Sequence, residues 1–166
     1  MNLHSILRRM LHGVLLACAL CANSITAAAE PPASVPARIE AEHAIRHLLM
    51  QTFDRPEERL AVEPVVVRGR HAIAGWIQGP RGGRALLRQD EHGRWQVLLC
   101  AGEALRTAPL LRESGVPAAE ATALAAALAE AEKGLPTGRA ALLSTFEGVV
   151  RISGKDPHGH HGHHGH

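Results

Sequence analysis

Aromatic residues are scarce in this chain: it has two tryptophans, two phenylalanines and no tyrosine among 166 residues. It also lacks a surplus of one charge, because the formal net charge is only +2 with the histidines counted as neutral. Proteins that bind nucleic acids usually combine clustered Lys and Arg with aromatic side chains that stack on bases. We therefore expect no nucleic-acid partner.

Cysteine is rarer than the aromatic residues, with three in the chain. Cys18 and Cys21 lie in the N-terminal segment, and Cys100 is the only cysteine after it. A single cysteine cannot form an internal disulfide, even in an oxidising compartment. The folded part of the chain must therefore be held together by its core.

The N-terminal segment has the pattern of a secretory signal peptide. Residues 1–9 include Arg8 and Arg9 but no acid, residues 10–22 are apolar, and Ala27-Ala28-Ala29 offers a cleavage site of the Ala-x-Ala kind. We predict a signal peptide over residues 1–29, cleaved after Ala29, and hence a periplasmic or secreted protein. The alternative is a lipoprotein acylated at Cys18, because Leu-Leu-Ala-Cys at residues 15–18 resembles a lipobox.

No later segment approaches the roughly 20 apolar residues that a membrane helix needs, so we expect no membrane span. Residues 30–37 are rich in proline and alanine and are predicted to form an extended leader. Residues 38–152 are predicted to form a single α+β domain, and residues 153–166 a disordered tail.

The periodicity of apolar residues changes along the domain. Helical spacing over residues 37–54 predicts a first helix, and alternation then predicts four strands joined by short glycine-bearing links. The predicted strands cover residues 62–67, 71–78, 84–89 and 94–100. Helical spacing returns in residues 104–113, 117–133 and 137–150. The predicted fold is an N-terminal helix covering one side of a four-stranded antiparallel meander, cystatin-like in outline, followed by two or three C-terminal helices.

The end of the chain carries the strongest chemical signal. Residues 158–166 read HGHHGHHGH and contain half of the twelve histidines. Neutral imidazole is a common ligand for zinc, copper and nickel, and the interspersed glycines let the backbone fold around an ion. We predict a metal site made by His158, His160, His161, His163, His164 and His166. The Irving–Williams order favours copper(II) over nickel and zinc for such nitrogen ligands.

Three residues of the first predicted helix are further candidate ligands. His43 and His47 are four residues apart, which places them on one helix face, and Met50 adds a thioether suited to copper(I). The alternative is an ordinary polar helix surface beside a core methionine. No glutamate follows His43, so the zinc-protease motif His-Glu-x-x-His is absent.

Cys100, at the end of the last predicted strand, has three interpretations. It is a buried structural residue, a copper(I) ligand, or a catalytic thiol activated near a helix N-terminus. No histidine near it in sequence provides a base, and the domain's histidines form no recognisable triad pattern. We therefore do not expect an enzyme.

Arginines are concentrated in the predicted hairpins. Such a group suits an anionic or protein partner, but a solvated sheet face and its turns explain the same charges, and we favour that interpretation. The arginines are Arg68, Arg70, Arg81, Arg84, Arg88 and Arg94.

The chain resembles the small exported bacterial proteins described as copper uptake system-associated proteins. The resemblance is carried by residues 72–79 (AIAGWIQG), 82–88 (GGRALLR), 95–102 (WQVLLCAG), 115–117 (GVP) and 146–150 (FEGVV), and by the terminal His-Gly tract. It covers nearly the whole chain after the signal peptide. It implies a link with copper import, with a membrane copper importer or another periplasmic copper protein as partner, but no reaction.

The sequence therefore predicts a non-enzymatic periplasmic protein that captures copper, as Cu(II) or Cu(I), and passes it on. A nickel or zinc chaperone is the nearest alternative. A protein-interaction module with a solubilising tail is the alternative from a different class.

Overall fold

The computed structural model describes residues 34–152. It contains an N-terminal helix, an antiparallel sheet and further helices, which confirms the predicted α+β class. The elements are α1 (Val35–Phe53), β1 (Leu60–Arg68), β2 (His71–Gln78), β3 (Arg81–Gln89), β4 (Trp95–Ala101), a 3-10 helix (Glu103–Arg106), α2 (Ala108–Glu113), α3 (Ala118–Lys133), α4 (Thr137–Leu142) and β5 (Val149–Arg151).

Helix α1 begins two residues before the predicted start. The Ser34 hydroxyl accepts a hydrogen bond from the backbone N–H of Ala37 at 3.4 Å, and Pro36 lies in the first turn. Both features favour a helix start, because a serine N-cap satisfies a free N–H and proline has none to satisfy. Residues 35–37, which were predicted to belong to the extended leader, are therefore the first residues of α1.

The strands form one antiparallel sheet in the order β1-β2-β3-β4-β5. The prediction of four strands was too small by one. Val149 and Val150 were assigned to a last helix, but α4 ends at Leu142 and these valines pair with Ala101 and Cys100 of β4. β-branched residues favour strands, and Gly148 makes the preceding bend with φ of +77°.

The predicted helix over residues 104–113 is divided in two. Thr107 has an extended backbone between the 3-10 helix and α2, and Pro109 lies in the first turn of α2. In one continuous helix over residues 104–113, Pro109 would lie in the interior without an N–H to donate, whereas in a first turn the missing N–H costs nothing.

The sheet is covered on both faces, whereas the sequence predicted cover on one side. Ile45 and Leu49 of α1 pack on the face that carries Val65, Val67, Ala72, Ala74, Ala85 and Leu87. Leu111, Leu124 and Leu128 of α2 and α3 pack on the face that carries Val66, Ile73, Leu86 and Leu99. Strands buried on two sides read as nearly continuous apolar runs, as β2 and β3 do.

No helix within residues 34–152 is long and apolar enough to cross a membrane. The predicted signal peptide and the histidine tract both lie outside the described residues.

Candidate functional site

The predicted ligands of α1 lie on its solvent face. His43, His47 and Met50 are exposed, while Ile45 and Leu49 between them are buried against the sheet. This placement fits the polar-surface interpretation for the two histidines, but Met50 is 41% exposed and is not the core residue that this interpretation assumed. All three side chains are open to solvent. Their role as metal ligands stays a prediction.

Cys100 lies on the other side of α1, under its buried face. It is half-buried in β4, opposite Ala85 of β3 and Val150 of β5, and it packs against the cluster that contains Ile45 and Leu49. Within residues 34–152, no three side chains of the His, Cys, Asp and Glu types form a group able to hold a metal ion. The structure therefore does not unite Cys100 with both histidines of α1.

The surroundings of Cys100 also set its chemistry. Burial raises the pKa of the Cys100 thiol to about 11, because the thiolate is poorly solvated there. A thiol with this pKa is almost entirely protonated at neutral pH, whereas the nucleophile and the metal ligand are both the thiolate. The position at the end of a strand therefore works against the catalytic interpretation.

We expect iodoacetamide to alkylate native Cys100 slowly near neutral pH. The rate should be at least about 100-fold below that of the unfolded chain, whose thiol has an ordinary pKa of about 8.5. It should rise about tenfold per pH unit toward a pKa of about 11. The test uses the chain without residues 1–29, in which Cys100 is the only cysteine. A native rate that levels off below pH 9 would contradict the raised pKa.

The raised pKa of Cys100 also makes the stability of the folded protein depend on pH. The native thiol keeps its proton to a higher pH than the unfolded thiol, so the stabilisation is fully present below about pH 8.5 and is lost as the pH rises through about 11.

Cys100 lines an apolar cavity of about 230 Å³ at the end of α1. Leu49 and Phe53 of α1 form one wall, and Val150 and Ile152 form the side toward β5. The remaining lining residues are Leu60, Trp76, Gln78, Ala85 and Phe146. Its volume lies between a 150 Å³ cavity that holds benzene and the 300 Å³ at which pockets for drug-sized ligands begin.

Gln78 has the only side-chain amide in the cavity lining, and its N–H groups already donate two hydrogen bonds. Gln78 Nε2 donates to the backbone carbonyls of Phe53 and Glu58, at 2.9 and 2.8 Å, which ties the end of α1 to β2. Besides the Cys100 thiol, the lining contains the indole N–H of Trp76, which is buried and has no hydrogen-bond partner within residues 34–152. The cavity is therefore suited to apolar groups.

Trp76 and Phe146, two of the three aromatic residues that line the cavity, contact each other. Their rings meet edge to face, with centroids 5.5 Å apart and planes at 77°. The segment after α4 holds Phe146 in place, because Thr145 Oγ1 accepts from the N–H of Gly82 at 2.9 Å and Phe146 N donates to the Gly82 carbonyl at 3.0 Å. A Cβ at Gly83 would lie 2.9 Å from both aromatic side chains, so this position needs a glycine.

Sequence reasoning missed the cavity because its lining residues come from α1, from all five strands and from the segment before β5. It also misplaced one arginine. Arg84 was grouped with solvated arginines, but its side chain is only 1% exposed. The alternation of side chains along β3 could have identified it, because Arg84 is two residues from the buried Leu86 and therefore lies on the same face of the sheet.

Comparison with protein-family models, curated proteins and solved structures yields no match. A function for this chain has to be inferred from its own residues.

Proposed function

We propose that this protein is an exported copper-binding accessory protein that captures copper with its C-terminal histidine tract and passes it to a membrane copper importer or another periplasmic copper protein. One observation carries the proposal: six imidazoles occur within nine residues, with a glycine after every one or two of them. No apolar residue interrupts this tract, so metal binding is the chemistry to which its composition is best suited.

The connection between the tract and the domain supports hand-over. The N–H of Ile152 donates to the Leu98 carbonyl at 2.8 Å, which anchors the chain at the edge of the sheet. His158 follows six residues later, so the tract starts within roughly 20 Å of this edge. Metal held by the tract would thus be presented close to the exposed apolar residues around β5.

Imidazole ligands in a glycine-rich tract suit a metal ion that is bound and released again, more than one that is held permanently. Two or three rings bind one ion, and four approach the tetrahedral arrangement that zinc prefers. Ordering a glycine-rich segment costs entropy, which weakens each site and speeds release. Since the ligand is neutral imidazole, binding should weaken as the pH falls below about 6.5.

We expect tight copper binding to be lost when the chain is ended at Pro157. Copper(II), copper(I), nickel and zinc are titrated against competing chelators into the protein that begins at Glu30 and into its truncated copy. Retained copper(I) affinity in the truncated copy would move the site into the folded domain, either to Cys100 or to His47 and Met50 on the opposite side of α1. If neither protein binds these metals more tightly than a loose histidine peptide, the metal proposal fails.

Two matched variants make this comparison sharper. His43→Ala with His47→Ala removes two exposed imidazoles from α1 and leaves the tract intact. We expect it to keep its copper affinity, whereas alanine at the six tract histidines should reproduce the truncation. In cells, loss of importer-dependent copper accumulation on gene deletion supports the transport role, and unchanged metal content argues against it.

A protein-interaction module without metal cargo is the second candidate. The observation that favours it is the exposed apolar surface at the end of the sheet, where Phe53, Val150 and Ile152 surround the mouth of the cavity. Pull-down of a partner with the same yield in the presence of a chelator, together with absent metal affinity, would support this function instead.

A further inference from the structure

Hydrogen bonds fix the walls of the apolar cavity at the end of α1 on three sides. Gln78 Nε2 connects the Phe53 carbonyl, at the last residue of α1, to β2. The Phe146 N–H donates to the Gly82 carbonyl of β3 at 3.0 Å. The Ile152 N–H donates to a carbonyl of β4 at 2.8 Å. The cavity is therefore a preformed feature of the fold, as most sites for small molecules are.

The room inside the cavity comes from two small side chains on its floor. Ala85 of β3 and Cys100 of β4 lie directly opposite each other in the sheet, and both line the cavity. A larger side chain at either position would project away from the sheet, into the space below Leu49 and Phe53 of α1. The cavity thus depends on which residues β3 and β4 carry at this one pair of positions.

The lining determines the charge of a molecule that fits. None of the ten lining residues that the structure describes is charged at neutral pH, since the pKa of the Cys100 thiol is raised to about 11. The N–H groups of Gln78 already donate to two backbone carbonyls. A charged ligand would lose its hydration here without gaining a partner, which is unfavourable. The lining therefore selects for an uncharged molecule.

Aromatic side chains are concentrated around this cavity. The chain has four aromatic residues, and three of them line it: Phe53, Trp76 and Phe146. Aromatic rings attract one another in edge-to-face and offset arrangements, beyond what the burial of their surface contributes. An aromatic ligand would add such contacts to the existing pair of Trp76 and Phe146.

The volume of the cavity limits the size of this ligand. A cavity of about 150 Å³ holds benzene, which has six carbon atoms. In proportion, the 230 Å³ of this cavity holds about nine carbon atoms. Phe53, Val150 and Ile152 line the cavity and are partly exposed, which gives a ligand a route in from solvent.

We propose that this cavity binds a small uncharged aromatic molecule of about nine carbon atoms. The ligand contacts Leu49 and Phe53 above, Ala85 and Cys100 below, and the ring of Trp76 at the side. Its affinity comes from the removal of apolar surface from water and from close packing. For a ligand of this size without a hydrogen bond, we expect a dissociation constant of about 100 µM.

Calorimetric titration with n-propylbenzene, an uncharged aromatic hydrocarbon of this size, tests the proposal. Protein purified after expression of the whole chain is used in excess chelator, so that metal at the histidine tract does not contribute. We expect saturable binding. 3-Phenylpropanoate has the same carbon skeleton with a carboxylate at one end, and it should bind at least about tenfold more weakly because the lining offers no partner for its charge.

The indole N–H of Trp76 reports where the ligand binds. The chain has two tryptophans and hence two indole N–H signals in a ¹H–¹⁵N spectrum, and Trp95→Phe shows which signal belongs to Trp76. We expect n-propylbenzene to shift the Trp76 signal with the dissociation constant that calorimetry gives. The Trp95 signal should stay in place, because Trp95 is not among the lining residues.

Two neighbouring valines of β5 provide a matched pair of variants. Val150→Phe adds a ring at a residue that lines the cavity, and the affinity for n-propylbenzene should fall about tenfold or more. Val149→Phe makes the same change at an exposed residue whose side chain lies on the opposite face of the sheet, so affinity should be unchanged. Cys100→Leu fills the cavity from its floor and should weaken binding as Val150→Phe does, with circular dichroism to check that it folds.

Several outcomes would overturn this site. They are the absence of saturable binding up to about 400 µM n-propylbenzene, equal affinity for 3-phenylpropanoate, an unmoved Trp76 signal, or full affinity in both Val150→Phe and folded Cys100→Leu. Because metal is removed by the chelator, each outcome is independent of whether the histidine tract binds copper. Failure of this site and failure of the proposed function are therefore distinguishable.

Discussion

Replacement of Arg84 by methionine is expected to lower the free energy of unfolding by about 3–5 kcal/mol. The guanidinium is 1% exposed, and Nε donates to Glu132 Oε1 at 2.6 Å. Nη1 of Arg84 donates to the backbone carbonyls of Gly102 and Leu143, each at 3.0 Å. One side chain therefore connects β3 with α3, with the residue before the 3-10 helix and with the end of α4.

The loss of stability arises from the buried groups that Arg84 contacts and methionine does not. Glu132 is only 8% exposed, and without Arg84 its remaining cation is Arg106, whose Nε lies 3.2 Å from Oε2. The two backbone carbonyls also lose their donor, and a buried acceptor without a donor costs about 1–3 kcal/mol. Lysine would not be an equivalent substitute, because it lacks the planar fork of donors that reaches several acceptors at once.

Urea unfolding followed by circular dichroism measures this effect. Arg88→Met is the matched control, since Arg88 is exposed on the same strand, and it should change stability by less than about 0.5 kcal/mol. The double variant Arg84→Met with Glu132→Leu should recover much of the loss, because it also removes the buried carboxylate that Arg84 had neutralised. A loss below about 1 kcal/mol for Arg84→Met alone would show that the buried network is dispensable.

Gly75→Ala is expected to lower the free energy of unfolding by about 2–3 kcal/mol. A Cβ at Gly75 of β2 would overlap the backbone carbonyl oxygen of Glu63 and would lie 3.0 Å from Cδ of Pro64. β1 is irregular at this point, because its register with β2 shifts between Val62 and Val65. Because the nearest atoms are backbone atoms of β1, this strand must move before an alanine side chain fits at position 75.

Gly138→Ala provides a control of opposite sign. Gly138 lies in α4, and a Cβ there would meet nothing within 4 Å. Alanine should stabilise the helix by about 0.4–1 kcal/mol, since glycine has more backbone freedom to lose on folding. Both variants are compared with the parent chain by urea unfolding. If Gly75→Ala and Gly138→Ala had equal stability, the close approach at Gly75 would carry no energetic weight.

The signals that predicted the fold correctly were local. Helical spacing of Ile45, Leu48 and Leu49 identified α1, and alternation with short glycine links identified the four strands of the meander. These patterns arise from the geometry of a helix or strand alone. They failed at residues 149–151, where valines fit both a helical face and a strand, and where the available edge of β4 decided for the strand.

The sequence by itself determined the α+β class, the order of α1 and the first four strands, and the composition from which metal binding is proposed, because each depends on residues close together in the chain. The tertiary structure alone decided the burial of Arg84, the separation of Cys100 from the exposed histidines of α1, the apolar cavity and the pairing of β5 with β4. Each of these depends on segments far apart in sequence, brought together by burial of the two faces of one sheet.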